Sequence, residues 1–570
     1  MMRAIVLLLS QFQVTDGLYG GIDISNYFAL LLGAMVAIVC LVKAPKALYR
    51  GDAMVFVLFV YLLIHASLTH AMQSREFYLS ISYFALYAVF RVIKGLRLAN
   101  YMTFAVMLCG IYQSCLVLGQ LLGYEASNHL RFVVTGSFFN PGPCGIFLAG
   151  VFVLAVAMMK KGYRKVGFNL MFVRYVTACV TFGVTLVALV PTMSRAGWIG
   201  ALVGVMLLYR REIVAWGNTR RRWVIGGGIV GMIVVLMLFY LLKKDSANGR
   251  LFIWQNTVSA YWKTPLFGVG IDGFERAFAE AQHDYFEKEK VLEQDNRHVE
   301  MAGVVESAFN EPLALFLLLG AVGGVLTAMV LFFKLQRLTA YSCVAVALLV
   351  ASFFSYTFYI PSIAIVFLFA VAQLPDRRVR GGRYVNVLMF GIMGIVVLFF
   401  DFREFGRREA YRKWKNNAVY YTWEDYQSVV EEYGKLYPVL KNDFKFLFEY
   451  GHSLHKVGRY EESNIMLKRG IRHSADPMFW NIAGKNYEVL GNQGAAEQAY
   501  LHAHSMIPDR VYPLYLLAKL YFSTGQTEKA RATACRAAAY KPKVESVQTR
   551  EMQAELRELS DCPDSSEIKD

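Results

Sequence analysis

Residues 312–333 run Pro312-Leu-Ala-Leu-Phe-Leu-Leu-Leu-Gly320-Ala-Val-Gly-Gly-Val-Leu-Thr-Ala-Met-Val-Leu-Phe-Phe333, with no charge between Glu311 and Lys334. A helix needs about 20 mostly apolar residues to cross the hydrocarbon core of a bilayer. This stretch is long enough, and it is one of many. Comparable runs lie near 24–43, 53–70, 77–93, 100–123, 144–160, 173–191, 193–209, 223–242, 339–357, 358–374 and 384–401. Residues 4–22 are weaker, apolar at first and then interrupted by Gln11, Gln13, Thr15 and Asp16. They read as a first helix rather than a signal peptide, because no small-residue cleavage site follows closely. Residues 1–401 are thus expected to form an all-α, polytopic transmembrane bundle of about 12–13 spans.

The composition agrees. Of 570 residues, 56% are hydrophobic and only 18% charged, and the mean hydropathy is +0.37. A soluble chain carries about a quarter charged residues. The eight cysteines, Cys40, Cys109, Cys115, Cys144, Cys179, Cys343, Cys535 and Cys562, form no CxxC and no metal-ligand spacing. A disulfide framework, a zinc module and a disordered chain are excluded.

The loops between alternate spans carry 22 basic residues against Asp52, Glu212 and Asp376, an excess larger than the net charge of +16 for the whole chain. These are Lys43, Lys46 and Arg50; Arg91, Lys94 and Arg97; Lys160, Lys161, Arg164, Lys165 and Arg174; Arg210, Arg211, Arg220, Arg221 and Arg222; Lys334 and Arg337; and Arg377, Arg378, Arg380 and Arg383. Basic loops stay cytoplasmic, and one orientation satisfies all six groups. The high pI therefore reports topology and not nucleic-acid binding. The other loops face outward, and so does everything after the last span. Residues 243–311 form a large outward loop with 8 Lys/Arg and 12 Asp/Glu, polar enough to fold outside the membrane.

Residues 402–570 have a helical repeat. Gly458, Gly491 and Gly525 are spaced by 33 and 34 residues, Pro477, Pro508 and Pro542 close the units, and Tyr460, Tyr487, Tyr500 and Tyr521 recur. A period near 34 with Gly between two helices is the tetratricopeptide pattern. A weaker unit is expected over about 408–443, giving a small periplasmic α-solenoid. Such an array holds a protein partner on one face, or supports the outward loop.

Charge inside or at the edge of a membrane is costly, which makes it a guide to function. Arg195 lies in Pro191-Thr-Met-Ser-Arg-Ala-Gly197, between two spans joined on the outward side. Arg250 opens the large loop, followed by Trp254 and by Pro265-Leu-Phe-Gly268-Val-Gly270-Ile-Asp-Gly273-Phe274. This GxGxxG follows no hydrophobic strand and is not a dinucleotide fingerprint. The loop ends in Glu306-Ser-Ala-Phe-Asn310-Glu311-Pro-Leu313. On a helix, Glu306 and Asn310 would share a face. Asn140-Pro-Gly-Pro143 reads as an outward turn entering a span. Fixed arginines can bind an anionic group bidentately and stabilise charge that develops on it.

Together these residues resemble the O-antigen ligase and polymerase superfamily of polytopic glycosyltransferases. The resemblance covers roughly 24–375 in topology and rests on Ser194-Arg195-Ala-Gly197-Trp198, Arg250-x3-Trp254 with the glycine-rich segment, and Asn310-Glu311-x-Leu313. It implies an undecaprenyl-diphosphate-linked glycan donor and chemistry without metal, nucleotide or other cofactor. It places diphosphate binding on Arg195 and Arg250, with Ser194 and Asn310 in support. Relatives commonly carry histidine just before the Asn-Glu pair, where this chain has Ser307 and Phe309. The general base then falls to Glu306, His298 or Glu311, with Glu306 leading and expected to be partly desolvated.

The expected function is an inner-membrane ligase that moves the glycan to lipid A-core on the periplasmic side. The alternatives are a protein O-oligosaccharyltransferase, with the repeats holding the polypeptide acceptor, and an O-antigen or polysaccharide polymerase. From another class come a non-enzymatic assembly scaffold, which would not need Arg195 and Arg250, and a transporter, which would show paired broken helices or inverted repeats. The sequence shows no convincing ones.

Overall fold

A computed structural model of the chain describes residues 48–95, 97–161, 170–217, 244–288, 298–379, 383–540 and 546–560. The expected spans 24–43 and 223–242 and the stretch 4–22 lie outside the described residues. So do Lys43, Lys46, Arg164, Lys165, Arg220, Arg221, Arg222, Arg380, Cys40, Cys562 and Pro542. Among the described residues every regular element is helical, and a lone antiparallel bridge joins Tyr49 to Arg378. The chain divides into two compact units. The first holds the described residues up to Arg250 with Pro265–Ile271 and Ser307–Glu404. The second holds Leu251–Thr264, Asp272–Glu306 and the described residues from Phe405 on.

The first unit contains α1 (Arg50–Leu68), α2 (Arg75–Val92), α3 (Arg97–Leu121), α4 (Pro141–Lys160), α5 (Leu170–Leu189), α6 (Arg195–Leu208) and α7 (Arg210–Gly217). The start of α8 (Lys244–Lys263) belongs to it, as do α10 (Glu311–Lys334), α11 (Ala340–Ser352), α12 (Pro361–Ala372) and the start of α13 (Arg383–Thr422). By length and composition, α1, α3, α4, Phe172–Leu189 and α10 can each cross a membrane. Shorter apolar helices are α6, α11, α12 and Tyr384–Phe400. The sequence placed continuous spans at 339–357 and 358–374, but the chain leaves the helix after Ser352 and re-enters it at Pro361. Proline has no N–H to bond into a preceding turn, so it favours a helix start there.

α4 is apolar on all sides and forms the centre, packed against α5, α6 and α11. Asn140 caps it through Gly142 N, as the Asn-Pro-Gly-Pro turn suggests. Small residues let α6 approach closely: a Cβ on Gly197 would lie 2.6 Å from the Gly145 carbonyl oxygen. In lipid this kind of contact replaces hydrophobic drive as the source of helix association.

α10 is broken in its first half. Gly320 has φ 67° and ψ −174°, and the segment 265–270 fills the gap. Val269 N and Gly270 N donate to Leu317 O and Leu318 O at 3.0 and 3.1 Å. Ala321 N and Val322 N donate to Pro265 O and Leu266 O at 2.8 and 3.2 Å. The Tyr61 hydroxyl of α1 donates to Leu319 O at 2.6 Å, and His65 Nε2 donates to Phe267 O at 2.7 Å. Only glycine fits at the crossing. A Cβ on Gly320 would sit 2.2 Å from Leu266 O, and one on Gly268 (φ 75°) 2.6 Å from Leu317 O. The Pro265-x2-Gly268-x-Gly270 motif is thus the backbone plug of a discontinuous helix.

At the other end of α10, Lys334 is fully buried in an ion cluster. Its Nζ donates to Asp52 Oδ1 at 2.6 Å and to Asp376 Oδ2 at 2.8 Å. Arg91 Nε donates to Asp52 Oδ2 at 2.9 Å, and the Tyr87 hydroxyl to Asp52 Oδ1 at 2.5 Å. Arg91 Nη1 donates to the carbonyls of Ala372, the last residue of α12, and of Leu374 just beyond it. Four helices meet in this cluster. The sequence counted Arg91, Lys334, Asp52 and Asp376 only as loop charges.

The second unit holds the rest of α8, α9 (Phe274–Lys288) and the helical repeats. The repeats are α15 (Phe444–Lys456) with α16 (Tyr460–Ile471), α17 (Met478–Val489) with α18 (Gln493–Met506), and α19 (Val511–Ser523) with α20 (Thr527–Ala539). The end of α13 and α14 (Tyr426–Leu440) form the weaker first unit expected at 408–443, and α21 (Val547–Ser560) closes the array. Gly458, Gly491 and Gly525 all have positive φ, at 82°, 77° and 72°, where the first helix of each pair ends. α9 lies against α18. Phe252, Ala279, Phe286, Ala302, Ala475, Met506 and Ile507 share one apolar cluster, and Gln282 Nε2 donates to Met506 O at 2.6 Å. The repeats therefore carry the large loop. The expected domain boundary at 401/402 falls inside α13, which is one continuous helix.

Asp52→Asn should leave Lys334 and Arg91 short of a buried counter-charge and lower stability by roughly 3–5 kcal/mol. Breaking the exposed Lys435–Glu431 pair should cost about 0–1 kcal/mol. Unfolding of both variants in detergent, followed by tryptophan fluorescence, checks the contrast.

Candidate functional site

The site is built at the N-terminal ends of α2, α6 and α10, the end of α10 remote from the Asp52 cluster. Two of its helices start in the same way. Met193 and Phe309 sit in the left-handed region at φ 48° and 50°, uncommon for large side chains. Each is followed by a capping residue. Ser194 Oγ accepts from Gly197 N at 3.3 Å and donates to Gly142 O at 3.0 Å, while Asn310 Oδ1 accepts from Leu313 N at 3.1 Å. After each cap comes a charged residue at the first helical position, Arg195 on α6 and Glu311 on α10. The expected supporting roles of Ser194 and Asn310 thus correspond to N-caps that fix the direction of the residue beside them.

Arg250 lies within electrostatic reach of Arg195. Burial, and then the positive charge of Arg195, pull its pKa below the usual arginine value. Its Nη1 donates to Phe354 O at 2.7 Å, and its guanidinium lies 5.3 Å from the Phe309 ring centroid. Phe309 meets Tyr356 edge-on at 5.4 Å, and its backbone N donates to Ser307 Oγ at 3.1 Å. The two positions where relatives place histidine therefore form, in this chain, a turn and an aromatic platform under Arg250. Two like charges held together by the fold favour an anion between them.

Glu311 does not stand free. Its Oε1 accepts from Phe358 N at 2.9 Å and Tyr359 N at 3.2 Å, and so fixes the irregular segment 353–360. Tyr83 OH donates to Phe358 O at 3.0 Å, and Arg75 Nη1 donates to Tyr359 OH at 3.1 Å. Arg75, Tyr83 and Tyr359 were missed in the sequence. Arg75 had a usable signal: it is a basic residue in a loop that the sequence expects to face outward, at the mouth of a span, the feature that marked Arg195.

Glu306 and His298 belong to the second unit. Glu306 is exposed in irregular chain, so it shares no helical face with Asn310 and is not the partly desolvated carboxylate the sequence suggested. Desolvation requires neighbouring elements to cover the group, and spacing along the chain does not report that. His298 stacks on Phe252 with centroids 5.1 Å apart, and its Nδ1 pairs with the Tyr285 hydroxyl at 2.5 Å.

Residues 180–328 match the family model described as O-antigen ligase, and residues 512–544 match that of the tetratricopeptide repeat. No curated protein matches the chain. Two solved structures, titled "Crystal structure of MamA" and "Crystal structure of MamA protein", are each 18% identical to it, with TM-scores of 0.22 and 0.21. They cover 25% and 27% of this chain and 82% and 84% of their own. Its apolar helices are those of a multi-pass membrane protein, and within it residues 180–328 are similar to O-antigen ligase. The segment that matches the O-antigen ligase model, 180–328, contains Arg195, Arg250 and Glu311, and the segment that matches the tetratricopeptide repeat follows at 512–544.

Proposed function

We propose that this chain is an inner-membrane ligase that transfers a glycan from undecaprenyl diphosphate to an acceptor hydroxyl, lipid A-core first among acceptors, on the periplasmic side. The observation that carries this reading is the pair Arg195 and Arg250, close enough that the charge of Arg195 helps lower the pKa of Arg250. Arg195 sits at a helix N-terminus, where backbone N–H groups and the helix dipole add to its attraction for phosphate. Arg250 is oriented by Phe354 O and by the Phe309 face. As the sugar–oxygen bond breaks, negative charge collects on the diphosphate, and this pair stabilises it without rearranging.

The acceptor hydroxyl needs a proton acceptor as it attacks the anomeric carbon. Glu306 is the proposed base. Its carboxylate makes no hydrogen bond among the described residues and is open to a polar acceptor. His298 is the second choice. Glu311, committed to Phe358 and Tyr359, is better suited to positioning the segment that orients Arg250. The protein-acceptor reading draws on the repeat unit, whose fold commonly binds polypeptide. A deletion strain scored for both its lipopolysaccharide ladder and its glycoproteins separates the two acceptors.

Arg195→Ala and Arg250→Ala should each reduce transfer by roughly 10²–10³-fold while the protein still inserts and accumulates. Lysine should restore only part, since it lacks the planar fork. Wild-type transfer in both alanine variants would remove the diphosphate role.

Glu306→Gln should lower turnover by roughly 10²–10⁴-fold with donor binding intact. Glu311→Gln keeps an acceptor oxygen for the two backbone N–H groups and should cost far less. The reverse ranking, measured with purified donor, would move the base to Glu311.

An alkaline phosphatase fused after residue 400 should be active, as the basic-loop asymmetry requires. Activity of a cytoplasmic reporter at the same junction would invert the orientation.

A further inference from the structure

The second unit gathers a set of metal-type donors that the reaction does not use. On α9, His283, Asp284 and Glu287 place one donor atom each within 4.8 Å of one another. His283 Nδ1 is 3.6 Å from Asp284 Oδ1 and 3.9 Å from Glu287 Oε2. His283 and Glu287 are one helical turn apart and share a face. Asp284 divides its oxygens: Oδ2 takes Lys263 Nζ at 2.6 Å, and Oδ1 turns to His283. A further imidazole comes from another helix. His502 of α18 lies with its ring centroid 4.1 Å from that of His283, the planes 30° apart. Its position is set by Trp480, whose ring centroid is 4.2 Å away, and its ring nitrogens make no hydrogen bond among the described residues.

We propose that His283, Asp284 and Glu287, joined by His502, bind one divalent transition-metal ion, zinc by preference, which clasps α9 to α18. A tetrahedral ion with ligands at about 2.1 Å sets donor atoms about 3.4 Å apart. The present separations of 3.6 and 3.9 Å reach that spacing through small side-chain rotations. Two imidazoles with carboxylate oxygens suit zinc, cobalt, nickel or copper, whereas calcium and magnesium take oxygen donors almost alone. The ordinary alternative is a helical His–Glu ion pair with an adjacent Asp, and such a pair needs a protonated ring and no partner on α18. The ion would act structurally. It would pin the helix of the large loop to the repeat that already receives it through Gln282 and Phe286.

The test uses full-length protein in detergent, freed of any histidine tag and stripped with chelator. Cobalt(II) is titrated and its visible d–d absorption followed, with zinc as competitor. One equivalent per chain is expected, displaced by zinc, and zinc should raise the unfolding midpoint. His283→Ala and Glu287→Gln should each weaken cobalt binding by roughly tenfold or more, and both should abolish the zinc-induced rise. Glu280→Gln, on the same helix, should bind as wild type. His502→Ala should also bind more weakly and should lose the zinc-induced rise. The site does not exist if wild-type protein gives no cobalt band, or if His283→Ala and Glu287→Gln bind as wild type does. Undiminished affinity in His502→Ala would leave an ion held by α9 alone and would overturn the clasp.

Discussion

A helix cannot be interrupted in apolar surroundings unless the peptide groups it frees find other partners, since each one left unpaired costs several kcal/mol. The break at Gly320 imposes that condition, and much of the first unit can be read as its consequence. The segment 265–270 has to lie in the gap with both glycines uncovered, and Tyr61 and His65 of α1 have to reach the carbonyls that remain. Docking this segment fixes the half-helix that begins at Glu311. Glu311 then holds the 353–360 segment, and that segment supplies the carbonyl that orients Arg250. A backbone requirement in the helix is thereby carried through to a guanidinium at the site.

The all-helical class, the apolar runs and the repeat array were legible because they depend on composition and period. The glycines at 458, 491 and 525 announce left-handed turns, and those turns are where the structure has them. Arg195 and Arg250 were legible as charges where charge is costly. The break in α10 was not. An apolar run containing three glycines reads as a continuous span, and only a distant segment with free N–H and C=O groups turns Gly320 into an interruption. The unwound segment 353–360 was hidden for the same reason, since its polar partners are side chains from α2, α8 and α10. Glu306 shows the opposite error. Its spacing from Asn310 suggested a shared helical face, but the Asn310 cap starts the helix too late to include it.

The large loop and the repeats also have to be understood together. By sequence they lie more than a hundred residues apart and look like separate modules. In the folded chain α9 and α18 share an apolar cluster, and the Gln282 amide completes the hydrogen bonding of Met506 at the end of α18. An array that supports a loop has less of its surface free for other polypeptides, which narrows where a protein partner can be held.

The buried ions carry a consequence for the order in which the membrane part is made. Asp52 and Arg91 lie on the first two described helices and emerge from the ribosome early; Lys334 and Asp376 follow much later. Each of these pairs is electrically neutral. The α1–α2 hairpin can enter the bilayer with its own charges matched, wait through the synthesis of the central helices, and then accept a second matched pair from α10 and the chain after α12. Biogenesis by this route never requires a solitary ion to be stored in hydrocarbon, even though the finished cluster shares its charges among all four residues.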